Sequence, residues 1–372
     1  MKYIKGHCPD RKGGTRMNGK TRRMITVLLC LIVTVSLLSG CSGDGKPRQS
    51  VSYDWFDTVS TVTSYRRESE KTFETNASEV FGILEHYHRL FDIYHEYDGL
   101  NNLCTVNRLA GGEPVPVDRE IISFLKECIT LYESSGYTVN VMMGSVLRLW
   151  KEAGDLAESG PGSASVPSEE ELRSASGHIS PDLLEIDEAA GTVRISDPEA
   201  SLDVGAIAKG YAAEMAAQYL RDNGLEGYVL NVGGNICVTG SKPDGSGWLT
   251  GVRNPDLESD QAFAAKIDLQ DTCCVTSGNY ERFFTVDGVR YHHIIDPDTM
   301  MPARYFASVT VVTENSTLAD MLSTALFCMS LEEGRVLLEA VAPDAAVLWI
   351  TETGEQFTNA RMDQILAEGG SQ

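Results

Sequence analysis

The sequence is short of positive charge. Its 31 Lys and Arg face 53 Asp and Glu, a formal net charge of −22, which argues against nucleic acid and anionic headgroups as partners, since clustered cations bind both. Cysteine spacing of a structural kind is missing as well. Beyond Cys41 there are Cys104, Cys128, Cys237, Cys273, Cys274 and Cys328, with no C-x-x-C and no disulfide framework, so they read as small buried apolar groups rather than bridges or zinc ligands. After residue 38 no apolar run reaches the eighteen or so residues of a membrane span. There is no internal repeat, no G-x-G-x-x-G dinucleotide fingerprint and no H-x-x-x-H pair. What remains is an apolar content of 42%, that of a globular protein, on a chain long enough for one large domain or two small ones.

The one long apolar run stands near the start. "MITVLLCLIVTVSLL", residues 24–38, follows Lys20, Arg22 and Arg23; it is too short to span a bilayer comfortably and has signal-peptide proportions. Residues 38–41, "LSGC", resemble the lipobox of bacterial lipoproteins, which implies cleavage before Cys41 and a lipid on it. The expectation is a signal peptide over 1–40, a lipidated tether over 41–52 and a catalytic domain over 53–368, held at the cell membrane and facing outside the cytoplasm. An uncleaved signal anchor is the alternative. Removing the eight Lys or Arg and one Asp of residues 1–40 takes the charge to −29, so acyl chains rather than basic patches would provide attachment.

The rest of the chain mixes strand and helix signals. "WFDTVSTVTSYR", residues 55–66, is β-branched and alternating and predicts a strand, and Val80, Leu84, Tyr87, Phe91 and Tyr94 mark a long helix. A second helix is expected at 118–134, with Ile121, Leu125, Cys128 and Tyr132 on one face. Residues 153–170, "AGDLAESGPGSASVPSEE", read as an exposed excursion dividing two lobes. A hairpin follows at 183–196, a helix at about 205–222, short strands punctuated by "NVGG", "PDGSG", "VDG" and "ETG", and a last helix near 361–367. The fold class is α/β or α+β.

Four stretches carry candidate chemistry. In "STLADMLSTALFCM", residues 316–329, Asp320 and Thr324 lie four apart and share a helix face, where carboxylate and hydroxyl can hold a cation; Thr317 followed by Asp320 also fits a capping box. In "SLDVGAIAKGYAAEMAA", residues 201–217, Asp203 and Gly205 open a helix whose first turn presents Lys209, so free amides and a cation can meet an anion; a capped helix packed through its alanines is the other reading. In "VLNVGGNICVTG", residues 229–240, Gly233 and Gly234 permit either a close ligand approach or a tight turn. In "TSGNYERFFTVDGVRYHHIIDPDTMMP", residues 276–302, His293 and Asp296 suggest acid–base work near neutral pH, or a strand ended by an Asp-Pro turn.

In this order "LDVGAIAKGYA", "NVGGN", "TSGNYERFF", "HHIIDP" and "LADMLSTALF", spread over roughly residues 53–365, resemble the ApbE-type FAD:protein FMN transferases. The resemblance implies a mixed sheet-and-helix catalytic domain with Mg²⁺ held by Asp320, Thr324 and a backbone oxygen of Ala206. It also implies FAD contacts from Tyr94, Thr138, Val139, Asn140, Lys209 and Ile295, and His293 as the base. The implied reaction moves FMN from FAD onto a threonine or serine hydroxyl of another protein and releases AMP. The acceptor would carry a D-x-x-[ST]-G-A-[ST]-like motif, absent from this chain, and belong to a membrane or extracellular electron-transfer system. Departures from the family pattern are Asp57 for the glycine of a Gly-Thr pair, Val139 to Met142 for Phe-Asp-x-Thr, and Met300 for the glycine of a T-G-x-P turn. Two other functions remain open at this level: hydrolysis of FAD to FMN and AMP, and a solute-binding lipoprotein without catalysis.

Overall fold

Alternation of small β-branched residues builds the first hairpin. In the computed structural model, which describes residues 47–160 and 165–367, β1 (Arg48–Ser52) pairs antiparallel with β2 (Ser60–Ser64). Ser60, Val62 and Ser64 face inward and Thr61 and Thr63 outward, the period of two that a strand requires. The strand is shorter than expected because Phe56 and Asp57 turn the chain, with φ of 55° and 51°. The signal peptide and Cys41 lie outside the described residues.

Helix α1 (Glu70–Phe91) starts at Ser69, whose side chain accepts from Thr72 N, and buries Val80, Leu84, Tyr87 and Phe91. It stops short of Tyr94 because the Asp92 carboxylate takes the N–H groups of Tyr94 and His95 at 2.7 and 3.0 Å, an alternative to the helical ladder. Next come α2 (Leu103–Arg108), β3 (Val115–Pro116), and α3 (Arg119–Ser134) with Asp118 as its cap. Part of the anticipated excursion is helical. α4 (Gly144–Ser159) runs through it, helped by Arg148–Glu152 and Lys151–Asp155 pairs one turn apart, and α5 (Glu169–Ser176) opens on a capping box between Ser168 and Glu171. Residues on both sides belong to one compact unit. β4 (Leu184–Asp187) and β5 (Thr192–Ile195) form the expected hairpin and with β3 a three-stranded sheet.

Helix α6 (Ala208–Asp222) begins three residues later than the pattern suggests, since the Asp203 carboxylate accepts from Gly205 N at 2.9 Å and holds a turn there. It is followed by β6 (Tyr228–Val232), β7 (Asn235–Thr239), β8 (Trp248–Arg253), β9 (Phe263–Leu269), β10 (Cys273–Gly278), β11 (Phe283–Val286), β12 (Val289–His292) and β13 (Ser308–Thr313). The chain closes with α7 (Ser316–Phe327), α8 (Leu331–Val341), β14 (Ala346–Ile350), β15 (Gln356–Thr358) and α9 (Ala360–Ile365).

Eight strands make the main sheet, in the order β1-β2-β6-β7-β10-β13-β14-β15, with antiparallel pairing throughout. Of the two classes the sequence left open, this is α+β. Its central strands are covered on both faces. Val309 and Val311 of β13 and Val347 and Trp349 of β14 point into the main core with the helices. Their neighbours Val312, Ala346, Leu348 and Ile350 point to a second core beneath the β8–β9 hairpin and Met362 of α9. Continuous apolar runs such as "AVLWI", all buried, are therefore strands packed on both sides.

Candidate functional site

The contact between α6 and α7 sets the geometry. Asn315, not Thr317, caps α7, accepting from Leu318 N at 2.9 Å, so the capping box that would make Asp320 a helix-start residue is not formed. Asp320 sits in the middle of α7, 4% exposed. Its Oδ2 accepts from Gly210 N of α6 at 2.7 Å and lies 3.7 Å from Lys209 Nζ. The first turn of α6 has no side-chain cap from its own preceding residue, Ile207, and leaves N–H groups without helical partners. Asp320 therefore caps the neighbouring helix across the interface, with its charge at the positive end of the α6 dipole. Gly210 makes the approach possible. A Cβ there would stand 2.4 Å from Asp320 Cβ and 2.6 Å from Ser316 O.

One turn on, Thr324 is half-buried with its Oγ1 3.4 Å from Ser277 Oγ of β10, which in turn lies 2.8 Å from Ser323 Oγ. Ala206 occupies the turn just before α6. Carboxylate, hydroxyl and a turn carbonyl thus come from elements packed on one another, and no cluster of three His, Cys, Asp or Glu exists among the described residues. Of these three groups Asp320 alone carries a charge.

The two adjacent histidines have opposite surroundings. His292 is buried; its Nε2 donates to Ala303 O at 2.8 Å and its Nδ1 accepts from Ile294 N at 3.3 Å. Burial lowers its pKa to about 4, helped by Arg304 and Arg290. His293 is open to solvent. Its Nδ1 faces Arg282 O at 3.2 Å; a carbonyl can only accept, so Nδ1 carries the proton and Nε2 keeps its lone pair. Although the residue's outer side is exposed, desolvation of the ring by its neighbours, and the cations of Arg282 and Lys209, push its pKa down to about 3, so it is neutral at pH 7 with the Nε2 lone pair free.

Beside this group Tyr94 is 54% exposed, with Lys151 Nζ 5.4 Å from its ring centroid. Burial of its hydroxyl and the nearby Asp203 charge push its pKa up to about 12. Burial also raises the Asp203 carboxyl, against the Gly205 hydrogen bond and the Arg282 cation. Tyr94 and Asp203 also line a cavity of about 660 Å³ with Leu147, Arg148, His178 and Ser201. His293, Lys209 and Asp320 are not in that lining, so the cavity adjoins the polar cluster rather than containing it.

The other anticipated flavin contacts are placed less openly. Val139 is 3% exposed within the main core, which leaves only its backbone for a ligand. Asn140 donates to Ile179 O at 2.8 Å and accepts from Met142 N at 2.9 Å, and Thr138 is half-buried beside it. Ile295 is 7% exposed in a small core with Met143 and Trp150. Sequence reasoning missed Arg282 and Ser277. Both lie in "TSGNYERFF", but nothing in that stretch signals that Arg282 O would fix the His293 ring or that Ser277 would face α7.

Two departures from the family pattern acquire a physical meaning. Asp57 has φ 51° and Met300 φ 59°, the left-handed region glycine enters freely. The glycines that the resemblance implies would suit these turns, and this chain makes the turns without them.

The ApbE family model matches residues 56–349. An FAD:protein FMN transferase of Treponema pallidum is 31% identical over 331 residues, spanning 84% of this chain and 87% of that protein. One of Vibrio cholerae is 30% identical over 332 residues, spanning 88% and 95%. Among solved structures, the ApbE protein of Thermotoga maritima superposes with a TM-score of 0.75 at 28% identity, over 87% of this chain and all of that one. The flavin transferase ApbE of Vibrio cholerae does so at 0.70 and 27%, over 86% of this chain and all of that one.

Proposed function

The chain belongs to the ApbE family, a membership carried by the family match and by relatives at about 30% identity over most of the chain, and from that premise we propose that this flavin transferase moves FMN from FAD onto a threonine or serine hydroxyl of a second protein, releases AMP and depends on Mg²⁺. The observation that supports this reading best is that Lys209 lies 3.7 Å from the buried Asp320 carboxylate and its charge also acts on His293, whose Nε2 is free.

The donors suit Mg²⁺. Asp320 Oδ1, Thr324 Oγ1 and Ala206 O are hard oxygens, and a site with a single carboxylate fits an ion that keeps waters and takes substrate phosphates as ligands. When bound there, Mg²⁺ supplies neutralisation of charge gathering on the pyrophosphate. Lys209 adds a fixed cation next to it. His293 Nε2 accepts the hydroxyl proton as that oxygen bonds to the FMN phosphorus. The bond from that phosphorus to the bridging oxygen breaks, and AMP leaves with the oxygen. Removing a base of this kind costs about 10² to 10⁴ in rate. Tyr94, Thr138, Asn140, Lys209, Ile295 and the Val139 backbone form the flavin contacts in this reading. We also place the mature chain at the cell membrane, outside the cytoplasm, through lipid on Cys41.

Incubating the purified chain with FAD, Mg²⁺ and a flavin-acceptor domain, followed by intact mass of the acceptor and chromatography of AMP, tests the proposal. Acceptor gaining the mass of FMN with one AMP released is the expected result. AMP without acceptor modification would make the protein an FAD hydrolase. FAD bound without AMP release would leave a binding lipoprotein.

A further inference from the structure

The β11–β12 hairpin is a separate two-stranded sheet, and among the described residues neither strand pairs with a third. One face is accounted for: Phe284 and Tyr291 pack on Trp150 of α4, with ring centroids 6.4 and 5.8 Å away. Strand alternation puts Phe283, Thr285, Arg290 and, buried at the base, His292 on the opposite face. There Phe283 is 43% exposed and the Arg290 guanidinium lies 4.3 Å from its ring centroid. At the hairpin's side Arg304, also exposed, lies 5.7 Å from the Tyr291 ring. Both guanidinium groups rest on aromatic rings rather than on carboxylates, in a chain with 53 acidic and 31 basic residues. The closed end of the pairing, Phe283 opposite His292, is continued directly by Arg282 and His293.

We propose that this face and the hairpin's open edge receive the flavin-acceptor protein as an extended segment bearing carboxylates. The inference rests on the transferase reading above and names how its second substrate is recognised. An open strand edge supplies backbone hydrogen bonds and hence register to an added strand. Guanidinium groups seated over aromatic rings keep N–H groups available to carboxylates, which they can pair in bidentate fashion. The pairing ends at Phe283 and His292, one residue from Arg282 and His293, so a segment that follows the register runs towards the proton acceptor. Specificity for acidic segments follows, because the rest of this acidic surface repels them and steers them to the arginines.

The test uses the chain with FAD and two fluorescein-labelled twelve-residue peptides, each with a central threonine, one flanked by aspartates and one by lysines. Anisotropy should show the aspartate peptide bound with an affinity that falls as salt rises, and the lysine peptide not bound. Arg290→Glu/Arg304→Glu should weaken the aspartate peptide at least tenfold, and the milder Arg290→Gln/Arg304→Gln less, while FAD affinity and Mg²⁺-dependent AMP release in the absence of peptide stay at the wild-type level. Equal binding of both peptides, no binding of the aspartate peptide, or unchanged binding in the charge-reversed variant would overturn the docking surface alone. Failure of the wild-type chain to bind FAD would overturn the transferase reading and this inference with it.

Discussion

Asp320 holds two roles that a pair of substitutions separates. As a cap, its Oδ2 satisfies Gly210 N at the uncapped start of α6; as a ligand, its charge would hold Mg²⁺. Asn is as good a cap as Asp. Asp320→Asn can therefore keep the 2.7 Å contact through its amide oxygen and lose only the charge–dipole and Lys209 attractions, about 1 kcal/mol. Asp320→Ala leaves Gly210 N buried without a partner, which costs about 1 to 3 kcal/mol, or roughly 2 to 5 °C in melting temperature for a domain of this size. Activity should not follow that order. Both variants lose the single carboxylate of the site and should lose most Mg²⁺-dependent AMP release, by about 10² or more, since each 1.4 kcal/mol of lost transition-state interaction is tenfold. Thermal melts together with Mg²⁺ titrations of AMP release measure both quantities. Asp320→Asn with wild-type turnover at an unchanged Mg²⁺ requirement would refute the ligand role and leave only a cap.

The α6–α7 approach makes Gly210→Ala a second test: a Cβ 2.4 Å from Asp320 Cβ must part the helices, so stability should drop by about 1 to 3 kcal/mol in denaturant titration, and a wild-type midpoint would contradict the packing. His293→Ala should slow single-turnover FMN transfer by about 10² with FAD affinity retained, whereas His292→Ala should unfold more easily yet transfer normally per folded molecule; a transfer defect shared by both removes His293 as the base. The folded pKa of His292, about 4, lies below the ordinary 6.5. Its stabilising contribution is therefore complete above pH 6.5 and fades as pH falls towards 4, on the order of 3 kcal/mol in all, and His292→Gln should flatten that limb of a stability-versus-pH curve. Asp57→Gly, which relieves a residue at φ 51°, should raise stability by about 0.5 to 1 kcal/mol; a loss would mean that the Asp57 side chain does more than tolerate the turn.

Local periodicity made much of the molecule legible. The α1 face of Val80, Leu84, Tyr87 and Phe91, the α3 span and the hairpin near 184–195 are each written within a short window. So is the Asp320 and Thr324 pair, because i and i+4 on one helix are neighbours whatever the fold. The identity of the cap was less legible: Asn315 and Thr317 both qualify by type, and the backbone at Asn315, φ −118° and ψ 122°, decided for the former. Asp203 looked like a helix start and proved to be a turn residue, since the same carboxylate chemistry serves both. Residues 153–159 looked like loop because small and acidic residues suit loops, but ion pairs one turn apart also suit an exposed helix. Nothing in a single sequence could show that Gly210 and Asp320 meet.

That last contact spans 110 positions of chain. Helices α6 and α7 can each form early from local interactions, but the polar cluster does not exist until the strands between them have paired and closed the long loop, an ordering that loop-closure entropy makes slow. A partly folded chain can thus be rich in helix and still be inert. Appearance of FAD-dependent chemistry during refolding would mark completion of the central sheet, and proteolytic clipping between residues 222 and 316 would silence the protein without touching a single residue of the cluster's two helices.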